Sequence, residues 1–165
     1  MFSTESIAAG SPSTWHDRGV ALITLLHGPN LNLLGQREPH IYGTATLDDY
    51  VAYTSTAAQQ YGHEVYAFQS NHEGQLVDAI HAARGASQAI IINPGAFTHY
   101  AWSIHDALAA FNGPIVEVHI SNPNAREPWR HTSVIAPVST GSIMGFGMLG
   151  YRLAVEVVAA KLSPA

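Results

Sequence analysis

The chain has 165 residues, 47% of them hydrophobic, and twelve acidic residues against seven Lys and Arg give a formal net charge of −5. This size suits one domain with a single core, and the acidic balance offers no basic field for a nucleic-acid backbone, so we expect no nucleic acid as partner. The absence of cysteine excludes disulfides and Cys-ligated zinc, and the apolar runs are far short of the ~20 residues of a membrane span, so we expect a soluble protein without membrane contact.

Residues 1–18 are rich in small and polar residue types. They contain no apolar h-region, and the acidic residues Glu5 and Asp17 argue against both a secretory and a transit peptide. We therefore expect a flexible N-terminal tail over 1–18, a single α/β domain over 19–165, and a cytoplasmic location.

Short β-branched runs then alternate with amphipathic segments. Val20–Leu26 lacks polar alternation, which is typical of a strand buried on both faces. Further strands are predicted over Glu64–Phe68, Ala89–Ile92, Ile115–His119 and, as a possible fifth strand, Ser133–Pro137. Helices are predicted over Thr46–Tyr61, Glu73–Arg84, Ala101–Phe111 and, after a glycine-rich turn, to about Leu162.

This alternation predicts the fold class. Strands separated by helices of ten to fifteen residues indicate right-handed crossovers, hence a parallel sheet covered on both faces. We predict an α/β fold of the flavodoxin-like kind, a three-layer α/β/α sandwich with a five-stranded parallel sheet. In that architecture ligands bind beyond the carboxyl ends of the strands. The segments after Leu26, Phe68, Ile92 and Val118 hold most of the Asn, His and Arg, as this prediction requires.

Several kinds of chemistry find little support in the sequence. The only lysine is Lys161, close to the C-terminus, so a Schiff base is not expected. No phosphate-binding Walker motif and no metal-ligand spacing occur, so metal catalysis has little support. The segment Gly145–Gly150 matches the dinucleotide fingerprint, but the chain ends before the acidic residue that should follow. We interpret its glycines as allowing the last helix to pack closely on the sheet.

The segment after the first predicted strand contains Asn30, Arg37 and Tyr42. A tyrosine in a loop is often only a half-buried anchor. Here a cation stands nearby in sequence, and a phenol of ordinary pKa near 10 acts as a base near neutrality only when positive charge stabilises its phenolate. We therefore regard Tyr42, with Arg37, as a candidate general base.

The segment after the fourth predicted strand carries a second set of candidates. Glu117 and His119 point to the same face of a strand, so that the carboxylate can orient the imidazole as a general acid. A structural pair is the alternative. Arg126 and Arg130 share one face if their segment is helical and would meet an anionic, hydroxylated ligand; a solvated helix edge is the alternative.

Two further segments carry polar residues directly after predicted strands. In Asn93–His99, an amide and an imidazole are placed to hold hydroxyl or carboxylate oxygens, which implies a ligand with several hydroxyl groups. Gln69–Gly74 can equally serve only to cap the following helix, and we assign it no catalytic role.

Together these four segments resemble the type II 3-dehydroquinate dehydratases, and the resemblance runs from about Ile23 to Leu153. The motifs that carry it are Gly-Pro-Asn-Leu-Asn-Leu-Leu-Gly-x-Arg-Glu-Pro-x-Ile-Tyr-Gly from Gly28 to Gly43, Gln-Ser-Asn-x-Glu-Gly from Gln69 to Gly74, Asn-Pro-Gly-Ala-Phe-Thr-His from Asn93 to His99, and Glu-Val-His-Ile-Ser-Asn-x-x-Ala-Arg-Glu-x-x-Arg from Glu117 to Arg130. The family converts 3-dehydroquinate to 3-dehydroshikimate and water by anti elimination through an enolate, without metal or organic cofactor.

The resemblance implies a role for each candidate. Tyr42 would remove the C2 proton, Arg37 would hold its phenolate, and Asn30 would fix the water that stabilises the enolate oxygen. His119, oriented by Glu117, would protonate the departing C1 hydroxyl. The substrate would be bound by the remaining candidates: its carboxylate by Asn93 and the backbone N–H groups of Ile120 and Ser121, and its ring hydroxyls by His99 and Arg130, with Arg126 near a closing lid.

The same resemblance implies an assembly of twelve copies, a tetramer of trimers. An acidic residue of a neighbouring subunit reaches the site in this family, and Asp106 is the matching position. Two departures are small: the segment before the first strand is long, and His72 stands where the family often has serine. Neither affects a proposed catalytic group.

A rival interpretation is a flavodoxin-like binding module without catalysis, which senses a quinate-like acid or carries a phosphate or flavin. The set of Tyr42, Arg37 and His119 discriminates against it, because binding alone does not require a base and an acid.

Overall fold

A sheet of five parallel strands forms the centre of the computed structural model, which describes residues 20–36 and 43–163. The predicted tail over 1–18 and the segment 37–42, with Arg37 and Tyr42, lie outside these described residues, and the domain division at residue 18 stays a prediction. The strands are β1 (Leu22–His27), β2 (Glu64–Gln69), β3 (Ala89–Asn93), β4 (Ile115–His119) and β5 (Gly141–Met144).

The strand order is β2-β1-β3-β4-β5, and every neighbouring pair is parallel. Leu26 stands opposite Phe68 on one side and Ile92 on the other, so three strands end at the same edge. The order reverses at β1, which places the crevice beyond the ends of β1 and β3. The predicted flavodoxin-like fold class is confirmed.

Within residues 20–36 and 43–163, four helices cover the sheet: α1 (Leu47–Gln59), α2 (Glu73–Ala86), α3 (Trp102–Ala109) and α4 (Leu149–Leu162). The start of α1 is fixed by a capping box, in which the side chains of Thr46 and Asp49 each accept a hydrogen bond from the backbone N–H of the other. One apolar cluster joins α1 and α4 to one face of the sheet, and a second joins α2 and α3 to the other. Within the described residues no helix is both long and apolar enough to cross a membrane.

The predicted fifth strand at Ser133–Pro137 is wrong, since the last strand is β5 at Gly141–Met144. The Ser133 side-chain oxygen accepts the backbone N–H groups of Ile135 and Ala136 at 3.1 and 2.8 Å, so the backbone folds into a short 3-10 helix over Ala136–Val138 instead of extending. Pairing with β4 begins only where the N–H of Thr140 donates to the carbonyl of Ile115 at 2.7 Å.

The glycine-rich segment before α4 has the packing role that its sequence indicated. Gly150 is buried, and a Cβ added there would lie 3.5 Å from Ile143 and from Val118, which is ordinary contact distance. The first turn of α4 therefore rests directly on β4 and β5.

One buried side chain was assigned no role from the sequence. His27, the last residue of β1, is fully buried with its ring stacked on that of Tyr151 at 5.7 Å, and neither ring nitrogen has a hydrogen-bond partner among the described residues. Burial lowers the pKa of His27 to about 3, because a charged imidazolium there would lose its hydration. The ring is therefore neutral in the folded protein.

Replacing His27 by phenylalanine should make stability less dependent on pH. In the unfolded chain the imidazole has a pKa near 6.5, so the unfolded state binds a proton below that pH. The folded state does not bind this proton until about pH 3. Between pH 7 and pH 5 the wild type should lose about 2 kcal/mol more unfolding free energy than His27→Phe, as measured by urea denaturation. Equal slopes for the wild type and His27→Phe would contradict the prediction.

Candidate active site

A cleft of about 440 Å³, counted with the part open to solvent, lies at the carboxyl edge of the sheet. Its walls come from the ends of β3 and β4 and from the turns after β1, β3 and β4. The described residues that line it are Leu31, Asn93, Gly95, Ala96, His99, His119, Ile120, Ser121, Pro123, Arg126 and Arg130. Most of the candidates for substrate binding are thus brought together at the place where this fold binds ligands.

Glu117 and His119 form a contact at the end of β4. They are two positions apart, so their side chains lie on the same face of the strand, and His119 Nε2 lies 2.8 Å from Glu117 Oε1. The Glu117 side chain is fully buried, while that of His119 is 9% exposed and borders the cleft. The Nε2 atom of His119 therefore contacts the Glu117 carboxylate, while the residue itself borders the cleft.

Three hydroxyl groups surround the Glu117 carboxylate. Thr98 donates to Oε1, Ser142 donates to Oε2 at 3.1 Å, and Ser133 lies 3.0 and 3.1 Å from the two oxygens. Burial disfavours the charged form, but the hydrogen bond and charge of His119, with the hydrogen bonds from Thr98 and Ser133, outweigh it and hold the pKa of Glu117 below its usual range. Glu117 is therefore a buried anion beside an imidazole.

The Asn93 side chain is held from two sides at the end of β3. Its Nδ2 donates to the Tyr151 hydroxyl at 2.9 Å, and its Oδ1 accepts the N–H of Gly95 at 3.2 Å. The adjoining backbone is packed tightly, because the N–H of Gly28 donates to the Asn93 carbonyl at 2.8 Å and a Cβ at position 28 would lie 2.1 Å from the Pro94 oxygen. The amide orientation is therefore set by α4 and by the turn after β3.

Asn30 is fixed by the loop that follows β2. It has a left-handed backbone with φ of 67°, which asparagine tolerates better than most residues, and its N–H donates to Asn71 Oδ1 at 2.8 Å. Gln69 Nε2 donates to both the Gly28 carbonyl and Asn71 Oδ1, each at 3.2 Å. The segment after β2 thus supports the segment after β1, in addition to preceding α2.

Arg126 and Arg130, in the segment after β4, were expected on one face of a helix. They do not share a helix. They lie in or beside two separate 3-10 turns, Pro123–Ala125 and Pro128–His131. They still lie together at the cleft, and Glu127 Oε2 pairs with Arg126 Nε at 3.6 Å and with Arg130 Nε at 2.7 Å. Both arginines thus reach the cleft without sharing a helix face.

The other candidates have clear positions. His99 borders the cleft, with Nδ1 2.7 Å from the Thr132 carbonyl and its ring edge-on to Trp129. Ile120 and Ser121 border the cleft directly after β4. Asp106 is exposed on α3 and is not among the residues that line the cleft of its own chain.

Sequence reasoning missed several supporting side chains. Thr98 lies inside a segment already singled out, directly before the candidate His99. Ser133 and Ser142 belong to segments interpreted only as strand or turn, and nothing local links them to Glu117. Tyr151 appears as an ordinary apolar position of the last helix, although its hydroxyl reaches Asn93.

The fold and the site together define a doubly wound α/β protein with a buried carboxylate–histidine pair at a polar cleft. The family model described as dehydroquinase class II matches residues 21–159, and the chain belongs to that family.

Relatives and solved structures agree with this assignment. The chain is 56% identical over 137 residues to a catabolic 3-dehydroquinase of Aspergillus clavatus, covering 83% of this chain and 91% of the relative. It is 53% identical over 142 residues to a 3-dehydroquinate dehydratase of Ruegeria pomeroyi, covering 86% and 95%. The crystal structure of the type II dehydroquinase from Propionibacterium acnes superposes with a TM-score of 0.82 at 43% identity, covering 85% of this chain and 97% of that one.

The hydrogen bonds of the histidines predict their tautomers. An ionised Glu117 can only accept, so the neutral ring of His119 should carry its proton on Nε2. His99 and His105 should instead carry it on Nδ1, because their partners are the carbonyls of Thr132 and Val134. Nitrogen-15 NMR of the ring nitrogens distinguishes these forms, and the two Nδ1–H rings serve as internal controls. A proton on Nδ1 of neutral His119 would contradict the geometry.

Proposed function

We propose that the protein is a 3-dehydroquinate dehydratase, a hydro-lyase that converts 3-dehydroquinate to 3-dehydroshikimate and water by anti elimination through an enolate. The observation that carries this proposal is the buried Glu117–His119 pair opening on the cleft of a chain that belongs to the class II dehydroquinases. The names of the relatives, catabolic 3-dehydroquinase and 3-dehydroquinate dehydratase, support the same substrate.

His119 is the general acid of the proposed reaction. The hydroxyl at C1 is a poor leaving group, and protonation by the imidazolium lets it depart as water. Glu117 stabilises that imidazolium and occupies Nε2, so Nδ1 is the nitrogen that would deliver the proton. The position of the ring at the cleft supports this assignment.

Tyr42 is the proposed general base, with Arg37 stabilising its phenolate. Both residues lie outside the described part of the chain, so this assignment rests on their spacing and on the family resemblance. Removal of the C2 proton gives an enolate, whose oxygen needs hydrogen bonds in place before the charge develops. Asn30, held by Asn71 in the neighbouring loop, would fix the water that supplies them.

The remaining candidates would bind the substrate. Asn93 and the backbone N–H groups of Ile120 and Ser121 would hold its carboxylate, and His99 and Arg130 would bind its ring hydroxyls. The support is that all five border one cleft. Arg126, which borders it as well, would lie near the closing lid.

The assembly and the location belong to the same proposal. We propose a homododecamer built from trimers, in which Asp106 of one subunit reaches the cleft of the next. The exposure of Asp106 on α3, away from the cleft of its own chain, agrees with such a role. We also propose a cytoplasmic location.

Purified protein given 3-dehydroquinate should develop the ultraviolet absorbance of the conjugated enone in the product, with EDTA present. Added borohydride should leave no covalent adduct by mass spectrometry, because the proposed elimination uses no lysine. A folded protein that binds the compound without forming the enone would be a binding module, and a stable adduct on Lys161 would point to Schiff-base chemistry.

Replacing Tyr42 by phenylalanine should abolish turnover while leaving substrate affinity within about tenfold, because the change removes the base and little else. Steady-state kinetics and calorimetric titration measure the two quantities. Tyr61, which is exposed after α1, provides the matched control, and Tyr61→Phe should keep full activity. If Tyr42→Phe retains turnover comparable to that of the control, another group is the base.

A further inference from the structure

The carboxylate of Glu117 has an unusual set of partners. Its side chain is fully buried, yet within residues 20–36 and 43–163 it pairs with no arginine or lysine. Its hydrogen bonds come instead from His119 and from three neutral hydroxyl groups on three different segments. Buried charges are ordinarily paired or strongly hydrogen-bonded, so these hydroxyls must replace the lost hydration.

We propose that Thr98 and Ser133 are positioning residues for the general acid: their hydroxyl groups hold the Glu117 carboxylate in the orientation that faces His119. The inference rests on the proposed function, in which His119 delivers the proton.

The donor geometry of Ser133 supports this role. Its oxygen accepts the backbone N–H groups of Ile135 and Ala136, so its single proton is left for the oxygens on its other side: Glu117 Oε1 at 3.0 Å, Glu117 Oε2 at 3.1 Å and the Thr98 hydroxyl at 2.8 Å. Two backbone donors fix the position of the Ser133 oxygen, and its proton therefore supports the carboxylate either directly or through the Thr98 hydroxyl, which donates to Oε1.

Thr98 completes the arrangement from the other side. Its hydroxyl donates to Glu117 Oε1 and lies 2.8 Å from the Ser133 hydroxyl, while its carbonyl accepts the N–H of Val134 at 2.8 Å. Thr98 is 1% exposed, so water does not compete for its hydroxyl. The turn after β3 and the segment before β5 thus contact each other where both donate to the carboxylate.

Neutral donors suit a carboxylate that must act on an imidazole. A guanidinium would stabilise Glu117 but would also cancel its negative field at His119, whereas hydroxyl groups stabilise the anion and leave its charge in place. Among the described residues, the other titratable groups near these segments are His99, His105, His131, Arg126 and Arg130. The three histidine rings contact the carbonyls of Thr132, Val134 and Arg126, and the two arginines pair with Glu127. His119 is therefore the group on which the charge of Glu117 acts.

Loss of either hydroxyl should affect catalysis in a recognisable way. A hydrogen bond to the ionised form would disappear, so the pKa of Glu117 would rise and the acid limb of the kcat profile should move to higher pH. The value of kcat should fall roughly tenfold at the optimum because the imidazolium loses its oriented partner. KM should stay within about twofold, since neither hydroxyl borders the cleft.

The experiment compares Thr98→Val and Ser133→Ala with two matched controls. Thr54→Val removes an equally buried hydroxyl that donates to the Tyr50 carbonyl within α1. Ser139→Ala removes a hydroxyl that donates to the Ile135 carbonyl in the same segment as Ser133. Thr98→Val keeps the shape of the side chain and the backbone contacts, so it tests the proposal even if Ser133→Ala loosens its segment.

Three measurements decide the matter: thermal unfolding, the pH dependence of kcat and KM, and the NMR signal of the Nε2 proton of His119. The inference predicts a shifted acid limb, a lower kcat and a moved Nε2–H signal in the two test variants but not in the controls, at similar stability losses. Unchanged pH profiles, or test variants that behave like the controls, would overturn it. Absence of turnover in the wild type would refute the proposed function instead, and the NMR comparison would still decide whether the hydroxyls position Glu117.

Discussion

The burial of one negative charge constrains much of this structure. Glu117 stands in the middle of β4 with its carboxylate away from water, and an unsolvated anion there would cost several kcal/mol unless donors surround it. The donors come from His119 on the same strand, from Thr98 after β3, from Ser133 before β5, and from Ser142 directly opposite on β5. Sheet, turn and connecting segment must therefore fold together around this group.

Most of the fold could be predicted because its signals are local. The buried runs that became β1, β3 and β4, and the helix that begins at the Thr46 capping box, are visible from residue type and spacing alone. The last strand could not be located in this way. Ser133–Pro137 contains the apolar residues of a strand, but its serine bonds its own backbone, whereas the true β5 is short and begins with glycine.

The candidate site was predictable where its members share a strand or a loop. Glu117 and His119 are two residues apart, and that spacing alone placed them in contact. Long-range partners were not predictable, because nothing local links Tyr151 to Asn93 across 58 positions or Asn71 to Asn30 across 41. Arg126 and Arg130 are an intermediate case: their proximity was expected on one helix face, but they lie in or beside two separate 3-10 turns and share Glu127 as a partner.

The close approach of the turns after β1 and β3 restricts how this protein can vary. A methyl group at position 28 would overlap the Pro94 carbonyl, and the N–H of the same residue is bonded to the Asn93 carbonyl. The bases of these two turns therefore behave as a single rigid unit, so that a backbone change in either one displaces the other. Insertions and redesigned loops would have to start beyond Asn30 on one turn and beyond Gly95 on the other, which limits loop grafting to the outer rim of the cleft.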